Sequence, residues 1–125
     1  MKELDFVRLD HIQICIPPGK ETEARKFYTD ILKLREILKP APLVPNGGLW
    51  YEIADIQLHI GTEDETNRSK RHPAFEIENL NDARKYLENN GILTQDEKEI
   101  PGVIRFSFFD PFGNRIELLE KNPVT

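Results

Sequence analysis

EARKFYTDILKL at residues 23–34 and DARKYLENNGIL at residues 82–93 decide the fold, because they are one helix written twice, 59 positions apart. Self-similarity of this kind marks duplicated units that pack against each other. A strand-like run with a histidine precedes each copy. LDHIQICI at 9–16 holds His11, and RHPAFEI at 71–77 holds His72. A second run with a ligand-capable side chain follows each copy. QLHI at 57–60 holds His59, and RIEL at 115–118 holds Glu117. His11 and His72 are 61 positions apart, His59 and Glu117 are 58 apart, and the chain has no other histidine.

Working outward, residues 9–16 alternate Ile12, Ile14 and Ile16 with His11, Gln13 and Cys15, the period of a strand with one core face. Residues 21–32 place Ala24, Phe27, Tyr28, Ile31 and Leu32 at helical spacing, with Thr22 as a candidate cap. A strand is expected at 34–38. KPAPLVPNGG at 39–48 has three prolines and two glycines and is expected to be an irregular loop. Strands are expected at 49–54 and 56–61, with a tight turn at Asp55, and the polar stretch 62–71 reads as a connector. The second half repeats the order: a strand at 73–78, then a helix at 80–90 capped by Asn79 or Asn81 and ended by Gly91. Strands at 93–96, 105–110 and 115–120 follow, the last two separated by the turn DPFGN at 110–114. The reading is β-α-β-β-β, twice.

The 125 residues suit one domain, 1–125, with module one at about 9–61 and module two at about 71–121. A half of that size would be marginal alone, so the modules are expected to pack together or exchange with a second chain. Hydrophobic content of 38% and charged content of 31% are ordinary for a globular protein. No run approaches the roughly 18 apolar residues of a membrane span, and MKELDFVRLD at the start lacks a signal-like apolar stretch. The single cysteine, Cys15, permits no internal disulfide, which suits the cytoplasm. A net charge of −5 argues against nucleic acid as a partner.

Alternate side chains of a strand share a face. His11, His59 and Glu117 each interrupt an apolar strand as the polar residue on its other face. With His72 they can converge if the two sheets curl towards each other. Imidazole nitrogens with one carboxylate suit a divalent transition metal (Fe, Mn, Ni, Co or Zn) better than calcium. Two remaining coordination positions would chelate a substrate bearing neighbouring oxygens and polarise it.

These segments together resemble the vicinal oxygen chelate superfamily, which includes glyoxalase I, fosfomycin- and bleomycin-resistance proteins, methylmalonyl-CoA epimerase and extradiol dioxygenases. The likeness runs from about Leu9 to Lys121. It is carried by LDHIQICI, ARKFYTDILKL, WYEIADIQLHI, HPAFEIENLNDARKYLENNGI and, most specifically, DPFGNRIELLE. The resemblance implies an α+β fold of two tandem βαβββ modules forming a curled, half-open mixed-sheet cup. It implies ligands from the first and last strands of each module: His11, His59, His72 and Glu117. In the glyoxalase I branch the acid matching Glu117 also moves a substrate proton. Glyoxalase I of similar length usually carries Glu, and the epimerase Gln, where this chain has His59, which removes a second carboxylate base. Ring-cleaving members need a further acid/base histidine, and none remains here. The resemblance also implies a homodimer, in which a site can draw on both chains.

The function expected is a metal-dependent enzyme of lyase or isomerase type acting by proton transfer on a small molecule with vicinal oxygens. The alternatives are an antibiotic-type binding or resistance protein and an Fe(II) dioxygenase. Trp50 and Tyr51 are expected mainly in the core. Gln13 and Cys15 share the face of His11, and no neighbour activates the Cys15 thiol. Arg105 is a candidate for an anionic group or for a surface ion pair. The 39–48 loop reads as a connector that can also close as a lid. Arg68, Lys70 and Arg71 lie close to Glu63, Asp64 and Glu65, so that stretch reads as solvated.

Overall fold

The structure, a computed structural model, describes residues 3–65 and 68–123. Strand β1 is His11–Ile16, helix α1 is Glu21–Arg25, and a π-helical turn follows at Lys26–Ile31. Then come β2 at Arg35–Ile37, a 3-10 turn at Ala41–Asn46, β3 at Leu49–Ile53 and β4 at Ile56–Thr62. The second half has β5 at Ala74–Glu76, α2 at Leu80–Asn89, β6 at Thr94–Asp96, β7 at Val103–Phe109 and β8 at Arg115–Lys121. Among the described residues no helix is long and apolar enough to cross a membrane.

The strands form two four-stranded sheets, ordered β1-β4-β3-β2 and β5-β8-β7-β6. In each, the first strand lies parallel to the last and the other neighbours are antiparallel. This corrects the expected single curled, half-open cup. The sheets are open and neither closed nor strongly curled, and among the described residues no strand ladder joins them. The reason is that both sheets turn their apolar faces to a common core. Ile16, Tyr51, Leu58 and Ile60 of the first sheet share it with Phe106, Phe108 and Ile116 of the second, and Phe27 and Tyr28 sit between. Each such side chain contributes about 1.5–3 kcal/mol by leaving water.

The expected helix over 21–32 changes character halfway. Leu32 N–H donates to Phe27 O, 2.9 Å, five residues back rather than four. The wider turn buries two adjacent residues, Phe27 and Tyr28, together. Thr22 makes no cap bond, because the cap position is Lys20. Asn79 does occupy the cap of α2, but in left-handed backbone (φ 56°) and without a side-chain bond. Glu120 accepts from Leu80 N–H at 3.0 Å instead. The 39–48 stretch is not wholly irregular either. Proline's fixed φ suits the 3-10 turn Ala41–Asn46.

The DPFGN turn ties the halves together. Asp110 is buried and accepts from the Tyr28 hydroxyl at 2.6 Å and from the N–H groups of Phe112 and Asn114 at 2.9 and 2.8 Å. Asn114 Nδ2 donates on to Cys15 O of β1 at 2.9 Å.

Candidate metal centre

The polar face of the first sheet carries a three-ring stack. The hairpin register sets Trp50 beside His59, with centroids 3.8 Å apart and planes within 3°. His11 stacks on the other side of His59 at 4.0 Å. His59 is buried, whereas His11 is exposed. His11 Nδ1–H donates to Asp10 Oδ2 at 2.9 Å, and His59 Nε2–H donates to Gln57 Oε1 at 2.9 Å. Burial, and then the neighbouring His11, pull the His59 imidazole below its ordinary pKa, while Asp10 opposes them. The His11 hydrogen bond holds Asp10 below the usual carboxylate range. A cavity of about 590 Å³ opens here, lined among others by Gln13, Lys39, Asn46, Trp50 and His59.

The second sheet carries the other pair. His72 Nδ1–H donates to Lys70 O at 2.7 Å, and its Nε2 lies 3.2 Å from Glu117 Oε1. With Nδ1 donating, a neutral ring turns a lone pair towards a carboxylate. Such a contact is favourable only with a proton or a cation between the two. Glu117 is buried, and Arg105 Nη1 reaches its Oε1 at 3.3 Å while donating to Lys98 O at 2.8 Å from Nη2. Arg115, two positions before Glu117 and so on its face, pairs with Glu97 at 2.6 Å. These contacts bring Glu97 and Lys98 against Arg115 and Arg105.

His11 and His59 therefore form one pair, and His72 and Glu117 another. Among the described residues no group of three or more metal-type side chains converges. The donor chemistry of each pair nevertheless fits a metal. Each histidine sets one ring nitrogen against a protein oxygen, and the other nitrogen remains for a ligand or, in His72, faces Glu117. That is the arrangement that orients metal-ligating imidazoles.

Arg105 lies against buried Glu117 at 3.3 Å, a partly buried contact rather than the surface ion pair that was one of its two readings. Of the two readings of Trp50 and Tyr51, core or cavity wall, Trp50 takes the wall beside His59 and Tyr51, fully buried, takes the core. The missed signal is the hairpin itself: a two-residue turn at 54–55 pairs position 50 with position 59. Gln57 was missed as well, although it lies two residues from His59 on the same strand face. Cys15 is half-buried, and burial, then Glu63, pushes its thiol pKa up, away from nucleophilic use. Arg68, expected in a solvated connector, stacks its guanidinium over Phe109 at 4.4 Å.

Residues 8–118 match the family described as the Glyoxalase/Bleomycin resistance protein/Dioxygenase superfamily. A Bacillus anthracis protein assigned to the glyoxalase family is 40% identical, with 96% of this chain and 99% of that chain covered and a TM-score of 0.90. A FosX variant from Listeria monocytogenes, a fosfomycin resistance protein complexed with Mn(II) and 1S,2S-dihydroxypropylphosphonic acid, is 19% identical over 96% and 93% of the chains, TM-score 0.72. TnmS3, an antibiotic binding protein from Streptomyces sp. CB03234, is 16% identical over 95% and 99%, TM-score 0.74. The last two likenesses show the fold alone. No curated protein matches the chain.

Proposed function

Because the chain belongs to the Glyoxalase/Bleomycin resistance protein/Dioxygenase superfamily, we propose that it is a metal-dependent enzyme of lyase or isomerase type whose site is shared between two chains of a homodimer. The His11–His59 pair of one chain meets the His72–Glu117 pair of the other around one divalent transition metal, drawn from Fe, Mn, Co, Ni and Zn. The observation that carries this reading is the common habit of the three histidines, each with one ring nitrogen anchored on a protein oxygen, the second nitrogen of His72 being turned to Glu117.

A bound dication supplies Lewis-acid stabilisation of negative charge on the neighbouring oxygens of a small-molecule substrate. The chain's own residues do the rest. Glu117 Oε1 takes a proton from the carbon next to a substrate carbonyl and returns it at the adjacent position. Arg105 holds that carboxylate in place. Trp50, stacked on His59, fixes the plane of that ring. The cytoplasm suits such a protein with a free thiol.

Mixing His59→Ala with His72→Ala protein tests the shared site. Each homodimer lacks a ligand at both sites, whereas a mixed dimer regains one intact site. Metal analysis after subunit exchange should recover about a quarter of the wild-type content per chain. Recovery of none would place all four ligands in one chain. Wild-type protein without metal after reconstitution would leave the binding-protein reading, which the separation of the two pairs within one chain favours.

A further inference from the structure

His72 also lines a second cavity, of about 420 Å³, that the proposed chemistry does not use. It is lined by the polar side chains of Gln13, Ser69, Arg71, His72 and Arg115, with Glu63 as its one acid. Arg115 is the telling residue. Strand alternation sets it on the face of Glu117, and its side chain is only 22% exposed. Its Nη2 is held by Glu97 Oε1 at 2.6 Å, but its Nε is buried and has no hydrogen-bond partner among the described residues. A buried guanidinium N–H without an acceptor is costly, more so than a neutral donor. Such a donor calls for an explanation, and an oxygen of a ligand taken up beside the guanidinium is one. Ser107 adds to the picture. It is fully buried directly across from Glu117, and its Oγ makes no well-formed hydrogen bond. Its hydroxyl, close to Glu97, holds that carboxylate below its usual range, against burial, and Arg115 adds to the effect.

We propose that this cavity receives an oxyanion carried by the substrate, a carboxylate or a phosphate-type group, held by Arg115 with Arg71 at its rim. The inference rests on the reading of His72 and Glu117 as active-site residues, and it adds the substrate class: a vicinal-oxygen compound with a compact anionic end. Guanidinium is suited to this task because its planar donors match paired oxygens. Glu97 acts as the built-in competitor, occupying one donor until the ligand arrives.

Inorganic phosphate is the probe, titrated calorimetrically into the full chain at low ionic strength with EDTA present, so that no metal contributes. Wild-type protein should bind about one phosphate per chain. Arg115→Gln should weaken binding at least about tenfold. Glu97→Gln should tighten it, because the competing carboxylate is gone. That opposite sign cannot come from misfolding. Absent or non-saturable binding, or equal affinity in wild type and Arg115→Gln, would overturn the inference. Metal content is measured on the same samples. Metal bound without phosphate sinks only the oxyanion site. Phosphate bound by a chain that never takes metal sinks the enzyme reading and leaves the anion site standing.

Discussion

Replacing Tyr28 with Phe removes one oxygen atom and, on the structure, unlocks the two halves. The ring stays in the core, so no cavity forms. The hydroxyl, fully buried, loses a 2.6 Å bond to Asp110. Burial, then Asp110, raises its pKa well above the ordinary tyrosine value, so it donates throughout the working pH range. A hydrogen bond to a carboxylate is worth about 1.5–3 kcal/mol. With roughly 2.1 cal/mol/K of unfolding entropy per residue, that corresponds to a Tm lower by about 6–11 °C. Urea unfolding followed by circular dichroism, at one protein concentration, measures it. A double mutant with Asp110→Asn should cost less than the sum of the singles by about 1 kcal/mol or more. A Tyr28→Phe loss under about 0.5 kcal/mol, or strict additivity, would refute the idea that this bond joins the modules.

Gly48→Ala should be severe. The backbone there has φ 86°, and an added Cβ would stand 2.1 Å from Ile60 O. A loss above about 3 kcal/mol in urea is expected, and near-neutral behaviour would mean the β3–β4 start is looser than it looks. His59 gives a pH signature. Its folded pKa lies below the ordinary value, so the unfolded chain takes the proton first. Stability should therefore fall as pH drops below about 6.5 and level off once the folded ring protonates. His59→Gln should flatten that fall between pH 7.5 and 5, and an unchanged slope would assign the effect elsewhere. Trp50 is the only tryptophan, so its emission should respond to added metal. Trp50→Ala should weaken metal affinity at least about tenfold by freeing the His59 ring; equal affinity by equilibrium dialysis would make the stack incidental.

Local patterns were legible where side-chain period decides them. Ile12, Ile14 and Ile16 announced a core-facing strand, and Leu58 and Ile60 around His59 announced another. Parity alone therefore put His11, His59 and Glu117 on polar faces. The way the sheets meet was not legible, because it depends on which faces share a core. Phe27 against Phe108 and Tyr28 against Asp110 draw the sheets together through their apolar sides, and no local pattern encodes that. The π-helical turn has the same origin: Phe27 and Tyr28 are neighbours that both had to be buried. The contacts of Glu97 with Arg115 on β8 and of the Lys98 carbonyl with Arg105 on β7 join residues that are distant in sequence, which no local pattern encodes.

The separation of the two proposed ligand pairs has a thermodynamic consequence. A dication in a protein site usually takes three or more protein ligands, and each sheet here offers two candidates. If the pairs meet between chains, neither chain alone holds metal tightly, so metal binding and association become one equilibrium. A ligand at 100 times its dissociation constant stabilises what it binds by about 2.7 kcal/mol, all of which would then favour the dimer. Within one chain buried Glu117 already has Arg105 beside it and buried His59 has Gln57, so the opposite pair and the ion would add to contacts that exist, and the gain would go to assembly over the isolated chain.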